Sequence, residues 1–252
     1  MVETRTARAG GGGALAGSAA LVGSAAVIGS LFDRVVAQLG DWRTGILSDG
    51  TAETTAARLD ERVRALVVPA LAADDPLLIG AGFIASPELV RGRDVHFAWW
   101  LGPLEANPVF GATTEPAKLD LATRNHADYL RDFRSLEWYR IPESTHQTHI
   151  TGPYVDHLCA CDYIITITAP VEVEGGMIGV VGADILVKRL ERELLPALLA
   201  IERPVSLVNE VGRVMVSTDP ALGAGSILPP DVIESVSCPG TPFSLALTSH
   251  SR

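Results

Sequence analysis

The stretch from His149 to Ile201 restricts the fold more than any other part of the sequence. Two β-forming runs, Tyr163 to Glu172 and Met177 to Ile185, stand on either side of Glu174-Gly175-Gly176. A glycine turn this short between apolar runs is a strong hairpin signal. His149 to Tyr154 reads as a further strand just upstream. Downstream, Leu186 to Ile201 reads as a helix that buries Leu190, Leu194, Leu195 and Leu198. Antiparallel hairpins with helices set to one side define an α+β domain and exclude a doubly wound one.

The flanking sequence extends that pattern. Leu77 to Ala85 and Val95 to Leu101 read as two more strands, the first carrying Gly80 and Gly82 and the second rich in aromatics. Pro204 to Asn209 and Arg213 to Ser217 make another hairpin around Val211-Gly212, and Pro242 to Leu247 a last strand. Thr51 to Leu71 reads as a helix with Leu59, Val63, Leu66 and Val67 on one face, bent or ended by Pro69. Pro103 to Leu121 is loop-like, with three prolines. Asn125 to Leu136 is a polar helical segment leading into Trp138-Tyr139-Arg140.

The N-terminal region admits two readings. Ala9 to Phe32 contains no charged residue, long enough for a spanning helix or an export signal behind Arg5 and Arg8. Its repeated Gly-Ser-Ala-Ala units, from Gly17 and again from Gly23, dilute the large apolar residues and weaken insertion. Leu21, Ile28, Phe32, Val35 and Leu39 form one stripe that continues through Asp33 and Arg34, as a docked helix would. The docked helix explains more of the residues, and the expected location is the cytoplasm. The alternative is a membrane-anchored protein with an extracytoplasmic domain.

Composition removes several function classes. With 20 Lys+Arg against 30 Asp+Glu the net charge is −10, and no stretch concentrates enough base to bind a polyanion. Direct nucleic-acid binding is therefore excluded. The 47% hydrophobic fraction against 20% charged residues supplies the apolar surface that ordering a chain requires. Three cysteines, at 159, 161 and 238, are too few for a disulfide framework and fit a reducing compartment. His157-x-Cys159-x-Cys161 lacks the second ligand pair of a structural zinc site, so no metal is expected.

No familiar catalytic apparatus emerges. Gly179-Val-Val-Gly182-Ala-Asp184 has neither Gly-x-Gly-x-x-Gly spacing nor a Gly-Lys-Ser/Thr ending, and no cofactor is expected. No Gly-x-Ser-x-Gly elbow nominates a nucleophile, and His146 and His149 sit in polar sequence. In strand phase Ile178, Val180, Gly182 and Asp184 share a face, with Gly182 leaving room above the sheet. Asp184 then needs a partner, or caps the helix that follows. Aromatics make up only 6% of the chain, yet Trp99, Trp100, Tyr129, Trp138, Tyr139 and Tyr154 cluster in its middle with Arg134, Arg140, Asp156 and Asp184. Arginine can clamp a carboxylate, aromatic faces can stack on a cation, and a lone acid can hold an ammonium. An ordinary aromatic core is the competing reading.

In order, Tyr129-x4-Arg134, Trp138-Tyr139, Thr151-Gly-Pro-Tyr154-Val-Asp156, Tyr163-Ile-Ile-Thr-Ile-Thr-Ala-Pro170 and Gly179-Val-Val-Gly-Ala-Asp184 resemble the Cache family of sensor domains, in its double-Cache form. The resemblance covers about Leu77 to Ser217. It implies long N-terminal helices, a PAS-like five-stranded antiparallel sheet that holds the ligand, and a connecting helix into a reduced second PAS-like subdomain. In the amino-acid-binding members, a Tyr, an Arg and a Trp-Tyr pair meet the ligand carboxylate, while a later Tyr and a strand-borne Asp hold its amino group. The matching positions are Tyr129, Arg134, Trp138, Tyr139, Tyr154 and Asp184. Three residues separate Arg134 from Trp138 where the family has one, so Arg140 becomes a substitute clamp.

The expectation is a stand-alone, non-enzymatic module that binds a small amine- or carboxylate-bearing metabolite. Its organisation would be a flexible N-terminus (1–13), a helical lead (14–75), a ligand-binding domain (76–186), and a connecting helix with the second subdomain (187–252). Since no output domain follows, the signal would pass to a separate regulator or kinase. A homodimer through the N-terminal helix would serve that transfer. The rival from another class is a scaffold with a degenerate pocket.

Overall fold

The computed structural model describes residues 11–48, 55–87, 89–104, 112–119, 132–156, 162–174 and 176–249. They form two compact units, residues 32–191 and residues 1–31 with 192–252. Helix α1 (Gly11–Leu47) has residues in both units.

In the unit 32–191, α1 is followed by α2 (Ala56–Leu71), whose first turn is capped by Thr55 accepting from the Arg58 amide. Leu59, Val63, Val67 and Leu71 form its buried stripe. Pro69 lies inside the last turn and does not stop the helix before Leu71. The sheet consists of β1 (Leu78–Ala85), β2 (His96–Leu101), β3 (Ala117–Lys118), β4 (His149–Val155), β5 (Tyr163–Val173) and β6 (Gly176–Leu186). The strand order is β3-β2-β1-β6-β5-β4, antiparallel throughout. Five strands were expected, and the sixth is the two-residue β3 at the edge, in the segment read as loop. The 3₁₀ turn Phe133–Ser135 and helix α3 (Glu137–Thr145) complete the unit up to α4 (Val187–Leu199).

Every residue of β1 and β2 is buried, so helices must cover both faces. On the face that carries His96 and Trp100, Asp60 of α2 accepts from His96 Nε2 at 3.0 Å and pairs with Lys118. On the opposite face Thr168 donates to the Trp138 carbonyl of α3 at 2.6 Å.

One irregularity in the β5–β6 hairpin decides what this second face contains. Pairing starts at Val173↔Gly176 and Glu172↔Met177, then slips by one residue to Val171↔Gly179. Gly179 has φ +151°, and a methyl group there would overlap the Ile84 carbonyl and the Phe83 ring. The bulge places Thr166 opposite Asp184 and Thr168 opposite Gly182. An unbroken register would pair Thr166 with Ala183 and turn Asp184 to the other face.

The unit 1–31 with 192–252 has its own sheet, of β7 (Val205–Asn209), β8 (Val214–Ser217), β9 (Val232–Ser237) and β10 (Phe243–Thr248) in the order β8-β7-β10-β9. The β7–β8 hairpin turns at Gly212, φ +74°. Strand β9, a segment to which the sequence reading assigned no strand, is an edge strand with Val232 and Ile233 exposed. Within this unit Ser18 of α1 donates to Glu234 at 2.9 Å and Ser24 to the Ala197 carbonyl at 2.9 Å. Gly29 lies so close to Pro239 that a methyl group would come within 2.7 Å of its carbonyl oxygen.

Candidate functional site

Three glycines hollow out the face of the larger sheet that α3 covers. Gly82 and Gly182 face each other across β1–β6, and Gly80 lies opposite Asp184. Trp99, the partner of Gly82 on β2, fills part of the hollow, its ring edge 3.3 Å from where a Gly182 side chain would begin. A methyl group on Gly80 would sit 2.9 Å from Trp99 Nε1 and 3.1 Å from Asp184 Oδ2. The indole N–H and the carboxylate thus border one small space above Gly80.

Asp184 is the chemical centre of this face. Its relative exposure is 7%, and Thr166 donates to Oδ1 at 2.6 Å. Thr166 is 2.6 Å from the Tyr154 hydroxyl, so Tyr154, Thr166 and Asp184 make a chain across three strands. Burial first, and then the negative charge of Asp156, push the Asp184 pKa up to about 8, while the Thr166 bond acts the other way. Asp156, at the end of β4, is equally buried. Asp184 lies inside β6, two residues before the end of the strand, and does not cap α4.

The aromatic wall is continuous with this centre. Phe97, Trp99, Phe133 and Tyr139 form one buried cluster with Trp138 packed against it. Phe133 stacks on Trp138 at 6.4 Å and meets Tyr139 edge-on at 4.8 Å. The Tyr139 ring is fully buried, and its hydroxyl has no hydrogen-bond partner among the described residues. Burial, reinforced by Glu143, raises its pKa to about 12, so it is a neutral donor at physiological pH. Thr151, opposite Thr166, is likewise a buried hydroxyl without a partner among the described residues. Leaving such groups unsatisfied costs about 1–3 kcal/mol each.

The structure therefore brings Trp138, Tyr139, Tyr154 and Asp184 to one face. It does not bring the arginines there. Arg134 donates to Glu143 at 2.6 Å with about half its side chain exposed, and Arg140 is on the exposed side of α3. Tyr129, the helix from Asn125 and the His157–Cys161 run lie outside the described residues, apart from Asp132 to Leu136, where a 3₁₀ turn stands. Thr151 and Thr166 were not singled out in the sequence. Alternation of Thr166 and Thr168 with isoleucines was the available signal, but only the bulge reveals which side chains they meet.

Comparison with known proteins fits this architecture. Residues 96–192 match the family described as methyl-accepting chemotaxis protein-like, first PDC sensor domain. Among solved structures, the ligand-binding domain of the Pseudomonas fluorescens chemoreceptor CtaA with L-valine is 18% identical, covering 95% of this chain and 98% of that one, TM-score 0.56. The domain of the Pseudomonas aeruginosa amino-acid chemoreceptor PctC with GABA is 16% identical, covering 94% and 99%, TM-score 0.56. The extracellular domain of the putative histidine kinase mmHK1S-Z3 is 16% identical, covering 94% and 95%, TM-score 0.61. No curated protein matches the sequence.

The fold is the α+β fold of chemoreceptor ligand-binding domains, and residues 96–192 are similar to a PDC-type sensor domain.

The expectation of a cytoplasmic protein is corrected. The matched family is one of chemoreceptor-like sensors, and the resembling kinase domain is extracellular. Within residues 17–47, α1 also has a window long and apolar enough to cross a membrane. Leu21, Ile28, Phe32, Val35 and Leu39 are all buried as the stripe predicted. A packed stripe, however, occupies one side of a helix and says nothing about the compartment. The scarcity of cysteines was no better guide, because an extracellular domain with a large core needs no disulfide.

Proposed function

We propose that the hollowed face of the larger sheet binds a small amine-bearing, amino-acid-like metabolite and that the protein reports its presence to a separate signalling partner. The observation that carries this reading is the Asp184–Thr166–Tyr154 chain: a buried carboxyl that accepts from Thr166, which is in turn bonded to Tyr154, beside three glycines and an aromatic wall. A buried acid of this kind is satisfied by a cation that brings its own N–H donors. Tyr139 and Thr151 supply two hydroxyls that a bound molecule would satisfy. The amino-acid ligands of CtaA and PctC, proteins with this fold, point to the same chemistry. In this reading residues 76–186 are the binding domain, and dimer packing along the N-terminal helix passes the signal to a regulator or kinase.

A thermal-shift screen of amino acids, amines and small organic acids tests the reading. A ligand at a hundredfold over its Kd adds about 2.7 kcal/mol of stability. Asp184→Ala abolishes that shift if the site is assigned correctly. Hits that survive Asp184→Ala unchanged would place binding elsewhere.

A further inference from the structure

We infer that Trp99 sets the size of ligand that this face admits: its indole fills the part of the sheet floor that would otherwise receive the ligand's side group. This rests on the reading of the Asp184 face as a binding site and adds a specificity-determining residue to it. Trp99 of β2 stands opposite Gly82 of β1, Gly82 opposite Gly182 of β6, and Gly182 opposite Thr168 of β5. Opposed residues of an antiparallel sheet share a face, as do residues two apart in a strand, so this row lies beside Asp184. The two glycines leave the middle of the row bare. The indole occupies it: Cε3 lies 3.0 Å from where a Gly82 side chain would begin, and Cη2 3.3 Å from where a Gly182 side chain would begin. The ring thus runs from β2 across β1 to β6, and Thr168 Cγ2, 2.9 Å from the same Gly182 point, closes the row.

The same ring borders the chemical centre. Trp99 Nε1 and Asp184 Oδ2 lie 2.9 and 3.1 Å from the single point where a Gly80 side chain would begin. A molecule held by Asp184 therefore has the indole edge beside it, on the side of Gly82 and Gly182. The cover over this row is fastened as well, because Thr168 donates to the Trp138 carbonyl of α3 at 2.6 Å. Depth in this direction is then set by the floor. Trp99 is 4% exposed and packed in the cluster of Phe97, Phe133 and Tyr139. Cutting it back leaves a hollow, since packed neighbours collapse only in part, and an apolar hollow takes an apolar body of matching size. In a fitted pocket one methylene changes selectivity by about tenfold or more.

The test is titration calorimetry on the full chain with L-alanine, L-valine, L-leucine and L-phenylalanine, for the wild type, Trp99→Ala, Trp99→Leu and Trp100→Leu. Trp100, the next residue, faces the other side of the sheet with Lys118 over its ring, and serves as the control. The affinity for leucine or phenylalanine relative to alanine rises at least tenfold in Trp99→Ala and at least threefold in Trp99→Leu, and stays within threefold of wild type in Trp100→Leu. Larger amino acids that bind the Trp99 variants and not the wild type are the same gain. A tryptophan with a structural role only would lower every affinity by a common factor. That result, or smaller changes in relative affinity in variants that keep the wild-type circular dichroism spectrum, or an equal rise in Trp100→Leu, overturns the size assignment and leaves the Asp184 site standing. Where Trp99→Ala does not fold, Trp99→Leu decides. Failure of all four amino acids with the wild type and both Trp99 variants overturns the site reading together with this inference.

Discussion

Replacing Asp184 by Asn turns the burial of this carboxyl into a measurable dependence of stability on pH. The ordinary pKa of the group is 3.8 and that in the fold is about 8. Between these values the unfolded chain has lost a proton that the folded chain keeps, so stability falls as pH rises. At 1.36 kcal/mol per pH step, the loss from pH 5 to pH 8 is about 4 kcal/mol, an upper figure because water entering the hollow would relieve part of it. Asn has the same shape, still accepts from Thr166, and carries no titration. Urea unfolding of the ligand-free protein suits the measurement, because all four tryptophans (42, 99, 100 and 138) lie in the unit 32–191 and report on it. Across this range Asp184→Asn should gain at least 2 kcal/mol on the wild type. Parallel pH profiles for the two proteins would mean that Asp184 ionises as a solvated carboxyl does, and the account of the site as a buried, cation-seeking acid would fall.

Two further substitutions probe the same face. Gly182→Ala puts a methyl group 2.9 Å from Thr168 Cγ2 and 3.3 Å from the Trp99 ring; it should cost about 1–3 kcal/mol in urea unfolding and shift the tryptophan emission, since overpacking displaces neighbours. Tyr139→Phe removes a buried hydroxyl with no partner among the described residues, so the ligand-free protein should be unchanged or up to about 1 kcal/mol more stable, while the affinity for any ligand held there falls. A loss of more than 2 kcal/mol in the free protein would show that the hydroxyl is already bonded.

Much of this fold is legible in the sequence because its signals are local. The glycine turn at Glu174-Gly175, the turn at Gly212 and the leucine stripe of α4 need only neighbouring residues to be read. The site is less legible because its chemistry depends on register. Counted from the turn without a bulge, Asp184 falls opposite Ile165 and looks like a helix cap; the slip at Gly179 brings it to Thr166. Arg134 shows the opposite failure. Its spacing placed it near a ligand, but Glu143, nine positions on, lies one helical segment away and takes the guanidinium. Strands β3 and β9 were invisible for a simpler reason: one is two residues long, and the other, Val-Ile-Glu-Ser-Val-Ser, has no buried face to impose alternation.

The position of Asp184 within its strand has a mechanical side as well. Only Ile185 and Leu186 separate it from Val187, where α4 begins, and there is no glycine or loop between them to absorb movement. Whatever displacement a bound molecule imposes on that carboxylate is delivered to the first turn of a helix through two peptide units in extended form, a coupling rod with almost no slack. Arg189, within that first turn, is pinned to the carbonyls of Pro76, Leu78 and Pro103. A sensor wired in this way would transmit small motions of its binding face without first having to unfold anything.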